Sequence, residues 1–296
     1  MRPPSRRPLS RRPLSRRAFL ATTGTLLAAA ACSSGDSGSD SADGVADPNA
    51  LTAGKVSIEP YVSTEPQRLA FVVFQNNGDF AAGPPMQVAL KGPGDSAFGT
   101  AVTAELFTKG LPEKRGVYVV DTPLPGSGVW ESKLTIADTE LTVPFDVTAT
   151  PLVVTPGVAA PRVASPTTVD TLGTNPLCTQ DPPCPLHAVS LDQVLGSGKP
   201  VAVMFATPAR CQTQYCGPVL DELLAVMAPY QSAVEIVHVE IYRDQTSDAL
   251  VPTVDAWALP GEPWLFGIDG TGATVGRLDG AFGTDEVTGL LDRLTV

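Results

Sequence analysis

The sequence predicts two folded parts: an all-β domain over residues 51–150, and an α/β domain, a mixed sheet flanked by helices, over 178–296. Three observations carry this. Between Leu51 and Thr150, short alternating apolar runs are separated by turn residues at strand spacing. From Cys178 onward, unbroken apolar runs alternate with helical patterns, as in sheets whose strands are buried on both faces. Between the two, residues 151–177 are rich in Pro, Thr, Val and Ala and read as a semi-extended linker. The 296 residues are enough for two domains, and the 43% hydrophobic content is enough for a core.

The chain begins with a basic element repeated three times, SRRPL, SRRPL, SRRAFL. All basic residues among the first 31 are Arg, and no acid occurs there. Without that segment the balance is 13 basic against 31 acidic residues, or −18. So acidic a body offers no Lys/Arg patch for phosphates, which excludes nucleic acid as a partner. Ser15-Arg16-Arg17-Ala18-Phe19-Leu20 resembles the twin-arginine export consensus. The apolar run Ala18–Ala31 is too short to span a bilayer but has the length of a signal h-region. It ends Ala29-Ala30-Ala31-Cys32, followed by Ser33-Ser34-Gly35, which is similar to a bacterial lipoprotein signal. That resemblance implies residues 1–31 as the signal, Cys32 as the lipidated residue, and anchorage to the outer face of the cytoplasmic membrane. Ala29 stands where such signals prefer Leu, and ordinary cleavage leaving a free secreted protein is the alternative. Either way the protein stands outside the cytoplasm, where disulfides persist. Residues 32–50 are Ser, Gly, Asp and Ala and read as a flexible tether.

The strands expected in the first domain are Lys55–Ile58, Leu69–Phe74, Met86–Leu90, Gly116–Val120, Lys133–Ile136 and Val143–Val147. Strands at this spacing suggest a β-sandwich of immunoglobulin-like type. With no Cys or His, the domain carries no evident chemistry and reads as a spacer or partner-binding module. In the second domain, Ser190–Leu195 reads as a short helix with Ser190 as N-cap. Pro200–Ala206 and Val234–Tyr242 read as buried strands, and Cys216–Met227 as a helix with Leu220, Leu223, Leu224 and Met227 on one side. Trp264–Ile268 and Ala273–Leu278 form a hairpin, and Thr284–Leu294 closes with an amphipathic helix.

The chemistry concentrates in five cysteines and two histidines. Cys211 follows the first buried strand and Cys216 opens a helix, in Phe205-Ala206-Thr207-Pro208-Ala209-Arg210-Cys211-Gln212-Thr213-Gln214-Tyr215-Cys216. A helix N-terminus stabilises a thiolate, and Arg210 beside Cys211 adds positive charge. Gly261-Glu262-Pro263-Trp264 precedes the hairpin. The element order with these two segments resembles the thioredoxin-like family, in its TlpA-type, membrane-anchored branch, over about Ser190 to Val296. That resemblance implies a thiol–disulfide oxidoreductase with Cys211 attacking and Cys216 resolving. It implies a cis Pro263, with Glu262 offering substrate contacts beside it and Arg210 as a further contact. Protein thiols or disulfides, or a membrane electron donor, would be the partners, with no resident cofactor or metal.

Two departures matter. Four residues separate the cysteines where thioredoxins have two, and Arg210 stands where an aromatic is usual. Five helical residues rise about 7.5 Å, beyond the roughly 7 Å Cα limit of a disulfide. Cys211 must therefore lie in the loop before the helix, or the first turn must unwind. A C-x4-C pair here also resembles a peroxiredoxin subgroup, although Pro208 holds the place of its threonine and Thr207 lies one position earlier. A structural disulfide or metal binding at this pair are further readings.

Cys178 and Cys184 enclose five residues, two of them proline, and read as a structural disulfide; exchange with the Cys211–Cys216 pair is the alternative. His187 and His238 near two cysteine pairs resemble the copper-delivering Sco-type members of the fold, which would make the protein a non-enzymatic assembly factor. The C-x3-C spacing of that group is missed by one residue. His238, inside a buried strand, reads as a hydrogen-bonded core residue. Glu240 alternates with it and reads either as a buried proton acceptor or as a surface residue. Trp264 and Phe266 read as core.

Overall fold

A computed structural model describes residues 47, 49–112, 114–210 and 215–296, with Cys216 described by its backbone alone. The expectations placed on residues 1–46, including Arg16, Arg17 and Cys32, and on Cys211 lie outside the described residues. The first lobe holds eight strands: β1 (Leu51–Lys55), β2 (Ser63–Gln75), β3 (Met86–Lys91), β4 (Val102–Thr103), β5 (Glu105–Phe107), β6 (Val117–Leu124), β7 (Gly128–Ile136) and β8 (Thr139–Val147). They form two four-stranded antiparallel sheets, ordered β1-β2-β6-β5 and β4-β3-β7-β8. Leu69, Phe71, Tyr118 and Val120 of the first sheet share an apolar core with Met86, Val88, Leu134, Ile136 and Phe145 of the second. Gly128–Trp130 opens the long strand β7.

The second lobe contains α1 (Leu191–Val194), β9 (Val201–Phe205), α2 (Cys216–Val226), β10 (Glu235–Val239), α3 (Pro252–Ala256), β11 (Trp264–Ile268), β12 (Thr274–Asp279) and α4 (Thr284–Asp292). Its sheet runs β10-β9-β11-β12, with β10 parallel to β9 and the other neighbours antiparallel. The order is strand, helix and parallel strand, then a hairpin and a closing helix, as the sequence led one to expect. All five β9 residues are buried, as an unbroken apolar run requires. Val201, Val203 and Phe205 face one apolar cluster together with Trp264 and Phe266. Ala202, Met204 and Ala206 face another, together with α2 and α4. No described helix is long and apolar enough to cross a membrane.

The lobes are not separate bodies. Strand β2 also alternates, and its other face carries Ala70 and Val72, with Val117 and Val119 beside them on β6. These belong to one cluster with Leu220, Leu223, Phe282, Val287 and Leu290 of the second lobe. The central strands β2 and β6 are thus buried on both faces over residues 69–73 and 117–120. Each such side chain is worth about 1.5–3 kcal/mol when fully buried, so parting the lobes would expose more apolar surface than a marginal fold tolerates. Polar groups fix the register. Arg68 meets Glu286 at 2.6 Å and donates to the carbonyl oxygen of Asp279 at 3.0 Å. Glu59 pairs with Arg277 at 3.3 Å and accepts from the backbone N–H groups of Leu152 and Val153. A cleft of about 570 Å³ beside these pairs is lined by Tyr61, Arg68, Arg277 and Glu286, and by no cysteine or histidine.

Residues 151–177 do not span free space. Val153 is buried, Gly157 N–H donates to Thr274 O at 2.8 Å, and Thr274 N–H donates to Val158 O at 2.8 Å. The segment runs along the β11–β12 hairpin because its backbone groups find partners there, which composition cannot show. It also caps α1. Leu191 N–H donates to Ser165 Oγ at 3.0 Å, while Ser190, in the N-cap position, makes no capping bond and accepts from Ser165 N–H at 2.8 Å.

Gly280 has a φ of 71°, and an added Cβ would collide with the carbonyl oxygen of Val56 across the lobe boundary. Gly280→Ala is predicted to destabilise the chain by more than the roughly 1–2 kcal/mol of left-handed strain alone, read as a lowered urea midpoint.

Candidate functional site

Cys178, Cys184, His187 and His238 gather near the C-terminal end of β9. Beyond Phe205 the chain passes Ala206 and Thr207, makes a 3-10 turn at Pro208–Arg210, and enters α2 at Cys216. Tyr215 is buried before it, edge-on to Phe80 of the first lobe with ring centroids 5.7 Å apart. Strand β11 pairs with β9 through Trp264 and Phe205, which places Pro263 beside the strand's exit. The Glu262–Pro263 peptide is cis, as the family resemblance implied.

The two side chains expected as substrate contacts are engaged within the protein. Glu262 is buried, and its Oε2 accepts from Thr207 N–H at 2.7 Å while Oε1 has no partner. Burial raises its carboxyl to about 7, against a lesser lowering by the Thr207 bond. Arg210 lies over the Tyr242 ring at 4.1 Å and donates to Asp244 O at 3.1 Å and to Asp248 Oδ1 at 2.8 Å. Its guanidinium thus holds the 242–248 loop.

Cys178 and Cys184 are buried free thiols with their sulfurs 3.7 Å apart, so the expected Cys178–Cys184 disulfide is not formed. A bond requires about 2.05 Å. The reason is visible in what surrounds them. Cys184 Sγ lies 3.3 Å from His187 Nε2 and 3.3 Å from His238 Nδ1, and Cys178 Sγ lies 3.8 Å from His238 Nδ1. The imidazoles hold the sulfurs in a four-sided cluster in place of a two-sided contact. Cys178 is held far below the ordinary thiol range by the hydrogen bond from Cys184, which is itself pushed far up by holding that proton and by burial.

Strand alternation delivers His238. It stands between Val237 and Val239, which face the Trp264 cluster, and so points the other way, towards the thiols. His238 is hydrogen-bonded as expected of a core residue: Nε2 lies 2.9 Å from Ala206 O, which leaves Nδ1 for the sulfurs. Glu240 is also buried on this side. It accepts from Thr179 N–H at 2.5 Å and from Thr179 Oγ at 3.2 Å, pinning the residue after Cys178. The surface alternative for Glu240 does not hold, and burial raises its carboxyl. The 178–184 loop also meets the turn after β9 and helix α2: Ala209 N–H donates to Thr179 Oγ at 3.2 Å, and Gln180 Nε2 donates to Asp221 at 2.7 Å.

The sequence reading took Cys178 and Cys184 as a disulfide and carried metal only in its Sco-type alternative, yet four metal-ligating side chains come together, all buried, with ligand atoms within 4.8 Å of one another. The signal available was His187 three residues after Cys184, together with a histidine on the alternate face of a buried strand.

No family model matches the chain, and no curated protein does. Among solved structures, a putative thiol:disulfide interchange protein DsbE from Chlorobium tepidum is 16% identical; the match covers 48% of this chain and 99% of that one, with a TM-score of 0.35. The M1 domain of titin is 10% identical over 34% of this chain and 94% of its own, with a TM-score of 0.20. The C-terminal domain of ZirS is 7% identical over 46% and 92%, with a TM-score of 0.23.

Glu262 yields a pH prediction. Its carboxyl is raised from an ordinary 4.5 to about 7, so between those values the folded state keeps a proton that the unfolded chain has lost. Stability is then fully present below pH 4.5 and falls as pH rises towards 7, by up to about 3 kcal/mol. Glu262→Gln, which keeps an acceptor for Thr207 N–H, should remove that slope from denaturation midpoints measured across this range.

Proposed function

We propose that the protein is an extracytoplasmic thiol–disulfide oxidoreductase working at the C-x4-C pair. The observation that carries this is that Cys216 is the first residue of α2, the α-helix that follows β9. The α2 N-terminus favours a thiolate in this region. The Cys211 thiolate attacks one sulfur of a substrate disulfide, forming a mixed disulfide and releasing the other substrate sulfur as a thiolate. The Cys216 thiolate then attacks Cys211 Sγ, releasing the second substrate thiolate and leaving Cys211–Cys216 oxidised. Two electrons pass to the substrate, and a protein dithiol or a membrane electron donor restores the pair. The peroxidase alternative gains no support at Thr207, whose Oγ accepts from Ile241 N–H at 2.9 Å.

The remaining parts of the proposal rest on the sequence. Arg16-Arg17 and the apolar run to Ala31 support twin-arginine export, and Cys32 supports a lipid anchor. The two-sheet lobe is read as an immunoglobulin-like sandwich that braces the redox lobe.

With an exported disulfide-bonded protein as substrate, Cys211→Ser should lower reductase activity by about a hundredfold or more. Cys216→Ser should instead accumulate a mixed disulfide through Cys211, seen by non-reducing electrophoresis. Wild-type activity in Cys211→Ser would overturn the proposal.

A further inference from the structure

We infer that Cys178, Cys184, His187 and His238 bind one zinc ion in a closed tetrahedral site. The inference is independent of the redox reading, since it uses neither Cys211 nor Cys216.

Geometry supports it first. A zinc ion about 2.3 Å from each of two sulfurs and about 2.0–2.1 Å from each of two nitrogens spaces those atoms roughly 3.3–3.8 Å apart. The sulfurs here are 3.7 Å apart, three of the sulfur–nitrogen distances are 3.3, 3.3 and 3.8 Å, and all four ligand atoms lie within 4.8 Å of one another. A disulfide would need the sulfurs to close by roughly 1.7 Å, away from both imidazoles. Outer partners support it next. Ala206 O fixes His238 Nε2, so Nδ1 is free to ligate, and Glu240 holds Thr179 next to Cys178. Such second-layer bonds orient metal ligands.

Charge selects the ion. Two thiolates, two neutral imidazoles and a divalent cation sum to zero, which a buried site tolerates. A monovalent copper ion would leave one net negative charge in a core that already holds Glu240. Loading balances as two thiols plus Zn²⁺ giving the dithiolate complex and two released protons. With four buried protein ligands and no open position, the site is of the structural class. It would fasten the 178–187 segment to β10, directly under the turn that leads to Cys211.

The test uses the full chain, purified under reducing conditions, stripped with a chelator and reloaded with Zn²⁺ or Co²⁺. One metal per chain is expected by elemental analysis, with tetrahedral ligand-field and thiolate-to-cobalt charge-transfer bands. Cys211→Ser/Cys216→Ser should keep the full equivalent, and Cys178→Ser should lose it. Because Cys178→Ser risks misfolding, His187→Gln, checked by circular dichroism, should bind about tenfold or more weakly. No bound metal in the folded chain, an octahedral cobalt spectrum, one equivalent of copper in place of zinc in protein isolated from cells supplied with both, or unaltered affinity in His187→Gln would each overturn the assignment.

Discussion

The described fold depends on strands β2 and β6 having no free face over residues 69–73 and 117–120. Strand β2 sends Leu69, Phe71 and Val73 into the core of the first lobe, and Ala70 and Val72 into the core shared with the second. A usual antiparallel sheet keeps one face wet. Here that face is covered by the helix that closes the second lobe, so α4, the β12 exit and the ion pairs of Arg68 and Arg277 take their positions from it. The same cluster includes Tyr215, Cys178 and Cys184, and the chemistry is therefore mounted on the junction.

Alternation also sorts the second lobe. Odd positions of β9 and β10 build the aromatic core around Trp257, Trp264 and Phe266, while even positions face α2 and the thiols. His238 is even-numbered, and that parity makes it a neighbour of Cys178 and Cys184. Around these thiols, Ala206 O meets His238 Nε2, and Thr179 Oγ accepts from the N–H of Ala209 in the turn after β9.

Much of this was legible in the sequence, because period and burial are local. Pro200–Ala206 announced a two-faced strand, and Gly261–Trp264 announced the turn before β11. What depends on tertiary partners was not legible. Lys55–Ile58 read as a strand, yet β1 ends at Lys55, because Val56 and Ile58 turn to meet the second lobe. The Pro/Thr-rich 151–177 segment read as a linker because nothing in its composition names the hairpin it lies against. The pair Cys178 and Cys184 read as a disulfide because spacing reveals proximity and not the imidazoles between which the thiols are set. Helix α3 and strands β4 and β5 were missed, being short and without periodic pattern.

The doubly covered strand has a consequence for how the sequence can drift. On a half-exposed strand, every second residue is free to become charged, and selection acts on one face only. Residues 69–73 offer no such relief: five consecutive positions are almost fully shut from water. A change that suits one core must leave the neighbouring residue, turned to the other core, undisturbed. The two lobes are therefore bound to evolve as a pair, and neither could be exchanged for a foreign counterpart without rewriting this strand.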